Sequence, residues 1–168
     1  HTVLNESDQF GQFLLDHVEK HGFPVHNCNK NDASFSTGHC VAIVSKGERS
    51  FMTHQGCVGA FSAQQLDLPI MIKTDHHTHI HVAGYFNVDG FHNGSLKQAL
   101  RQVRMERAAE NQKLGSEAAA SRSTTMSLVT QHDATKEWDG GLKEVAPLLD
   151  FLIMNELEAN SILKKHAK

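Results

Sequence analysis

The chain has 168 residues, 39% hydrophobic and 21% charged, with 3 Pro and a formal net charge of −3. That length and apolar share fit one domain with its own core, and the negative balance gives no electrostatic footprint for a phosphate backbone, so no nucleic-acid partner is expected. No run approaches the roughly 18–20 apolar residues of a membrane helix, and His1-Thr2-Val3-Leu4-Asn5-Glu6 has no signal-peptide pattern; no membrane association and a cytoplasmic location are expected. The first residue is His rather than Met, which reads as a processed chain or a fragment.

Cys28, Cys40 and Cys57 form an odd set without a C-x-x-C pair, which argues for reduced thiols over a disulfide framework or thiolate zinc site. Histidine is the compositional anomaly: of 13, several crowd into Asp75-His76-His77-Thr78-His79-Ile80-His81.

In chain order, Phe10, Phe13, Leu14 and Val18 recur at helical spacing behind Asp8 and stop at His21-Gly22, which predicts a surface helix with one buried stripe. The β-rich run from Phe35 to Val44, a turn at Lys46-Gly47-Glu48 and the alternating Arg49 to His54 predict a hairpin. Val82 to Phe86 reads as a short buried strand and Ser95 to about Gln112 as a helix with Leu96, Leu100 and Val103 inward. Gly115 to Thr125 reads as a polar loop, Met126 to Thr130 as a strand, Leu148 to Met154 as another, and Glu156 to Lys165 as a last helix. Alternating strands and helices imply right-handed parallel crossovers and an open α/β sheet, whose ligands lie beyond the carboxyl ends of the strands. Candidate site residues are therefore Asn87 and Asp89, then Gln131, His132 and Asp133, then Asn155, Glu156 and Glu158. Turn and helix-cap roles explain the same residue types.

Several segments in this order resemble the ribokinase, or PfkB, family of carbohydrate kinases. They are Thr37-Gly38 before a hydrophobic strand and Gly47-Glu48-Arg49-Ser50-Phe51; His81-Val82-Ala83-Gly84-Tyr85; Ser127-Leu128-Val129 running into Gln131-His132-Asp133-Ala134; and Asp150 to Ala159, which holds an N-x-x-E pattern at Asn155 and Glu158. The resemblance implies a partial ribokinase-like three-layer sheet over residues 1–168, with mostly parallel strands and a β-hairpin lid at about 25–56. It implies transfer of the ATP γ-phosphoryl group to a hydroxymethyl group of a sugar or nucleoside-like substrate. Asn155 and Glu158 would organise ATP and Mg²⁺, with Glu158 as metal ligand, while Thr37, Gly38, Gln131 and Asp133 would face the substrate.

The family's Gly- and Asn-rich sugar motif and its Gly-Ala-Gly-Asp motif, whose aspartate is the base, do not occur in these residues. The expected base lies outside the chain, so the segment is expected to be inactive alone. Trp138-Asp139-Gly140-Gly141 precedes the N-x-x-E strand and reads as a turn. Where the family carries Asp-x-Asn, this chain has Val129-Thr130-Gln131. A non-catalytic pseudokinase module is the alternative; a metal-dependent hydrolase at His76–His81 is a third reading, set back because these histidines precede the apolar run and so fall at the amino edge of the strand. A partial sheet leaves strand edges open, which implies association or a homo-oligomer.

Overall fold

The computed structural model describes residues 1–29, 32–68, 77–114 and 123–167. It divides into two compact units, His1–Phe61 and Ser62–Lys168.

In the first unit, helix α1 (Gln9–Lys20) starts at Asp8, an extended N-cap residue. One Asp8 carboxylate oxygen accepts from Gly11 N at 2.7 Å and the other from Thr37 N at 2.6 Å. A single side chain thus caps the helix and fixes the chain entering the hairpin. Thr37 is buried, and its Oγ1 accepts from Asn5 N at 2.9 Å. A Cβ on the buried Gly11 would overlap the Asn5 carbonyl, so glycine is required where this segment crosses α1.

Strands β1 (His39–Ser45) and β2 (Glu48–His54) pair antiparallel, from Ser45 opposite Glu48 to His39 opposite His54. Lys46 and Gly47 between them both have positive φ, 51° and 83°, the backbone that a two-residue hairpin turn needs to match strand twist. The strand starts four residues later than the sequence suggests. Both strands are exposed along their whole length. A four-residue helix α2 (Cys57–Ala60) follows, and Val3, Leu4, Cys28, Cys57 and Phe61 are the buried apolar residues of this unit. The expected buried stripe of α1 is corrected: Phe10, Phe13 and Leu14 are 50%, 68% and 40% exposed. Periodicity marks an amphipathic face, but what covers it must come from another element.

In the second unit, β3 (Thr78–Val82), β4 (Thr124–Val129) and β5 (Phe151–Ile153) form a parallel sheet in the order β3-β4-β5. Thr78 lies opposite Thr124, and Ser127 opposite Phe151. Helices α3 (Ser95–Leu114), α4 (Leu142–Val145) and α5 (Glu156–His166) complete the α/β pattern. Ile80, Val82, Met126 and Leu128 alternate along the strands, Leu96, Ala99, Leu100 and Val103 recur along α3, and all are buried. The buried Arg107 fixes α3 to the amino ends of two strands, donating to Thr124 Oγ1 at 3.0 Å and Thr78 Oγ1 at 2.9 Å.

Three boundaries differ from expectation. The apolar run Val82 to Phe86 is not a strand, because Gly84 turns left-handed (φ 74°) and Tyr85–Asn87 forms a 3-10 turn. The strand is Thr78–Val82, so His79 and His81 lie within it instead of ahead of it. Leu148 to Met154 keeps three strand residues, since Pro147 starts a 3-10 turn at Ala146–Leu148. β4 begins at Thr124, inside the expected loop, whose residues 115–122 lie outside the described residues, as do Asp75 and His76. Among the described residues no helix is long and apolar enough to cross a membrane, and all three cysteines are free thiols.

Backbone amides of Thr37 and then Gly11 hold the Asp8 carboxyl below its ordinary range. Its stabilising contribution is therefore complete above the unfolded value of about 4 and is lost as pH falls through the lowered folded value. Asp8→Ala is expected to cost about 0.5–2 kcal/mol at neutral pH. Thermal unfolding from pH 2 to 7 should show a shallower acid-side loss of stability for that variant than for the parent chain.

Candidate strand-end site

The carboxyl ends of the three parallel strands bring several polar residues of the second unit together. Pairing continues past the strands: Phe86 N donates to Thr130 O at 3.1 Å, and Thr130 N donates to Ile153 O at 3.2 Å. The three exits are thereby held in register.

Glu158 is the chemically distinctive group. It lies on the first turn of α5 and is 5% exposed. Thr130, fully buried, donates its hydroxyl to Glu158 Oε2 at 2.7 Å. Asn155 Nδ2 donates to Oε1 at 2.7 Å and the Asn155 backbone N to Oε2 at 3.4 Å, while Glu158 N donates to Asn155 Oδ1 at 2.9 Å. This reciprocal arrangement is a capping box, which starts α5 at Asn155 and fixes both side chains. Every one of these donors to the carboxylate is neutral. A buried carboxyl group needs strong donors, and the hydrogen bonds found here among the described residues come from neutral groups.

Beside it, Gln131 takes a left-handed backbone (φ 57°), and its Oε1 accepts from Asn87 Nδ2 at 2.6 Å. A Cβ on Gly84 would approach that same oxygen to 3.1 Å, so the glycine permits the contact. Gln131 and Asn87 are exposed. Asp133 is different. It is buried, with Oδ1 accepting from Thr135 N at 2.8 Å and Thr135 Oγ1 at 2.7 Å, and Oδ2 accepting from Trp138 N at 2.6 Å. Burial pushes its carboxyl up, but the donors from Thr135 and Trp138 outweigh this and leave it below the ordinary range. Asp133 shapes the 133–138 loop, where Lys136 and Trp138 also have positive φ. Tyr85 is buried under this loop and donates its hydroxyl to Gly140 O at 2.7 Å. Burial pushes its phenol up to about 12, with Asp139 and Glu144 adding to the shift, so it stays protonated at neutral pH.

Thr37 and Gly38 belong to the first unit. The Thr37 hydroxyl is turned onto Asn5, and a Cβ on Gly38 would meet Gln55 O at 2.7 Å and Val58 at 3.2 Å. Thr37 thus ties the entry of the hairpin to Asn5, and Gly38 gives the close approach of two backbone segments. Among the described residues no group of three His, Cys, Asp or Glu is placed to hold a metal ion. His79 and His81 do share one face of β3, but both bond Ser127 Oγ, at 2.8 and 2.7 Å. Asp89 is exposed 3.9 Å from His92, and His132 packs edge-on against Trp138. An open groove of about 590 Å³ along α3, with Lys97, Arg101, Met105 and Glu144 on its walls, includes none of the strand-end residues. Trp138-Asp139-Gly140-Gly141 is a turn, as expected, with Gly140 and Gly141 at positive φ.

Thr130 is the site residue that sequence reasoning missed. Its signal was a hydroxyl at the end of a buried strand, a weak one without knowing that α5 returns beside it. Thr130→Val is expected to destabilise by about 1–3 kcal/mol, because it leaves a buried carboxylate short of a donor. Urea unfolding should show a smaller loss for the same change in a Glu158→Gln background.

Residues 7–168 match the family described as pfkB family carbohydrate kinase. Among solved structures, adenosine kinase from Anopheles gambiae, in complex with P1,P4-di(adenosine-5) tetraphosphate, superposes with a TM-score of 0.65 at 20% identity, over 99% of this chain and 46% of that one. Ribokinase from Thermotoga maritima superposes with a TM-score of 0.59 at 12% identity, over 99% of this chain and 43% of that one. The chain thus spans less than half the length of these structures, which share its α/β fold of parallel strands and small hairpin. No curated protein sequence matches it.

Proposed function

The chain belongs to the pfkB family of carbohydrate kinases, and from that premise we propose that it supplies the magnesium- and phosphate-organising edge of an ATP-dependent kinase acting on a hydroxymethyl group of a sugar or nucleoside-like substrate. The observation that carries this reading is the buried Glu158 carboxylate, bound by the neutral donors of Thr130 and Asn155 at the carboxyl edge of the sheet. All its oxygens and those of Asn155 are hard donors, the chemistry that suits Mg²⁺ held directly or through water. When bound, Mg²⁺ supplies positive charge that offsets the charge developing on the transferred phosphoryl group.

The chain's own residues do the positioning. The capping box sets the orientation of Glu158 and Asn155 before any ligand arrives, so little reorganisation is required. Gln131, exposed and held by Asn87, offers its amide N–H to a substrate hydroxyl. The family resemblance gives the hairpin β1–β2 a lid role, with Gly38 at its entry. Asp133 contributes by holding the 133–138 loop. No residue of this edge is assigned as the base that takes the acceptor proton.

A second reading is a binding module without catalysis, favoured by one observation: among the described residues of this edge the carboxylates of Glu158 and Asp133 are buried and hydrogen-bonded. The two readings separate in one assay. The segment is expected to be inactive alone, and any ATP consumption that a panel of sugars and nucleosides elicits from the purified chain should require Mg²⁺ and fall at least about tenfold, or about 1.4 kcal/mol, in Glu158→Gln with the thermal transition retained. Turnover unchanged by that variant would remove Glu158 from the reaction. A folded chain without turnover would support the binding module.

A further inference from the structure

We propose that His17 and His21, at the carboxyl-terminal end of α1, form a two-histidine chelate for a late divalent transition-metal cation such as Zn²⁺. The residues are four apart, the spacing that puts two side chains on one face of a helix. The His21 backbone N donates to His17 O at 3.3 Å, so the helical turn between them is closed. Their ring centres are 4.6 Å apart with planes inclined at 53°. A metal about 2.1 Å from one nitrogen of each ring, with a ligand angle of about 90–110°, requires ring centres about 4.5–5.2 Å apart. The observed separation already lies in that range.

The same comparison separates this pair from His79–His81 and His39–His54, while His1 and His26, with ring centres 4.9 Å apart, meet between two chain segments instead of on one helical turn. His79 and His81 have ring centres 6.5 Å apart, and both rings hold Ser127 Oγ. His39 and His54 are 5.0 Å apart, but His39 Nδ1 is bound to Thr37 O and His54 Nε2 to Ser36 Oγ. The rings of His17 and His21 make no side-chain hydrogen bond among the described residues, and both are exposed. All four ring nitrogens are therefore free of competing protein partners. Both residues sit where the last carbonyls of α1 point, an end of the helix dipole that favours a cation. Imidazole is a borderline ligand suited to Zn²⁺, Ni²⁺ and Cu²⁺ and poorly to Mg²⁺, so this site does not compete for the ion proposed at the strand ends. Two protein ligands leave the remaining positions to water.

Zn²⁺ titration followed by the imidazole proton–nitrogen resonances tests the proposal locally. The His17 and His21 rings are expected to shift together along one saturation curve. In His21→Ala the His17 curve should move to at least tenfold higher Zn²⁺. Combining His21→Ala with Glu19→His keeps the histidine count but puts the rings on different sides of the helix, and should leave the weak curve in place. Separate curves for His17 and His21 in the parent chain, or a His17 curve unmoved by His21→Ala, would overturn the chelate. Because the readout is at these rings, it does not depend on kinase activity or on Glu158.

Discussion

Taking a carboxylate out of water costs several kcal/mol unless its oxygens find good partners, and Glu158 is buried at the point where three strands end. Its partners come from two directions: Thr130 at the exit of β4 and Asn155 at the exit of β5. The charge is satisfied only when α5 starts at Asn155 and β4 and β5 are aligned. The requirement to hydrogen-bond one carboxylate thus couples a helix start to the register of a parallel sheet. The same groups lie where open α/β sheets bind ligands, so the constraint that shapes the edge also leaves fixed oxygens there.

Asp8 plays a comparable part in the first unit. It is a helix cap whose second oxygen reaches a residue 29 positions later, Thr37, just ahead of the hairpin. In both units an acidic residue at a helix start is shared with a distant backbone or side-chain donor. Asp133 repeats the device within a single loop. Each of these three acidic residues sets local geometry, and Glu158 does so from the first turn of α5 at the strand ends.

How much of this was legible in the sequence varied with the range of the interaction. Asn155-Glu156-Leu157-Glu158 could be read as a helix start or as a family motif, and the structure shows the cap directly. The hairpin turn was legible because Lys46-Gly47 carries its own backbone requirement. The strand at His79 was misplaced because a run of apolar residues outweighed the alternation of Ile80 and Val82, and because the left-handed turn at Gly84 was not anticipated. The exposure of Phe10 and Phe13 could not be read at all, since periodicity identifies a face and not its partner. Thr130 with Glu158 and Asp8 with Thr37 are pairs 28 and 29 residues apart, and nothing local in the sequence brings them together.

The central claim is that the strand-end carboxylate gathers a hard divalent cation together with nucleotide. Mn²⁺, which shares the oxygen preference of Mg²⁺ and is paramagnetic, reports that position directly. With ATP present, the account predicts that sub-stoichiometric Mn²⁺ broadens the amide resonances of Thr130, Gln131, Asn155 and Glu158 before others, and that Glu158→Gln abolishes the effect. Broadening that begins elsewhere and leaves those four amides sharp would contradict it.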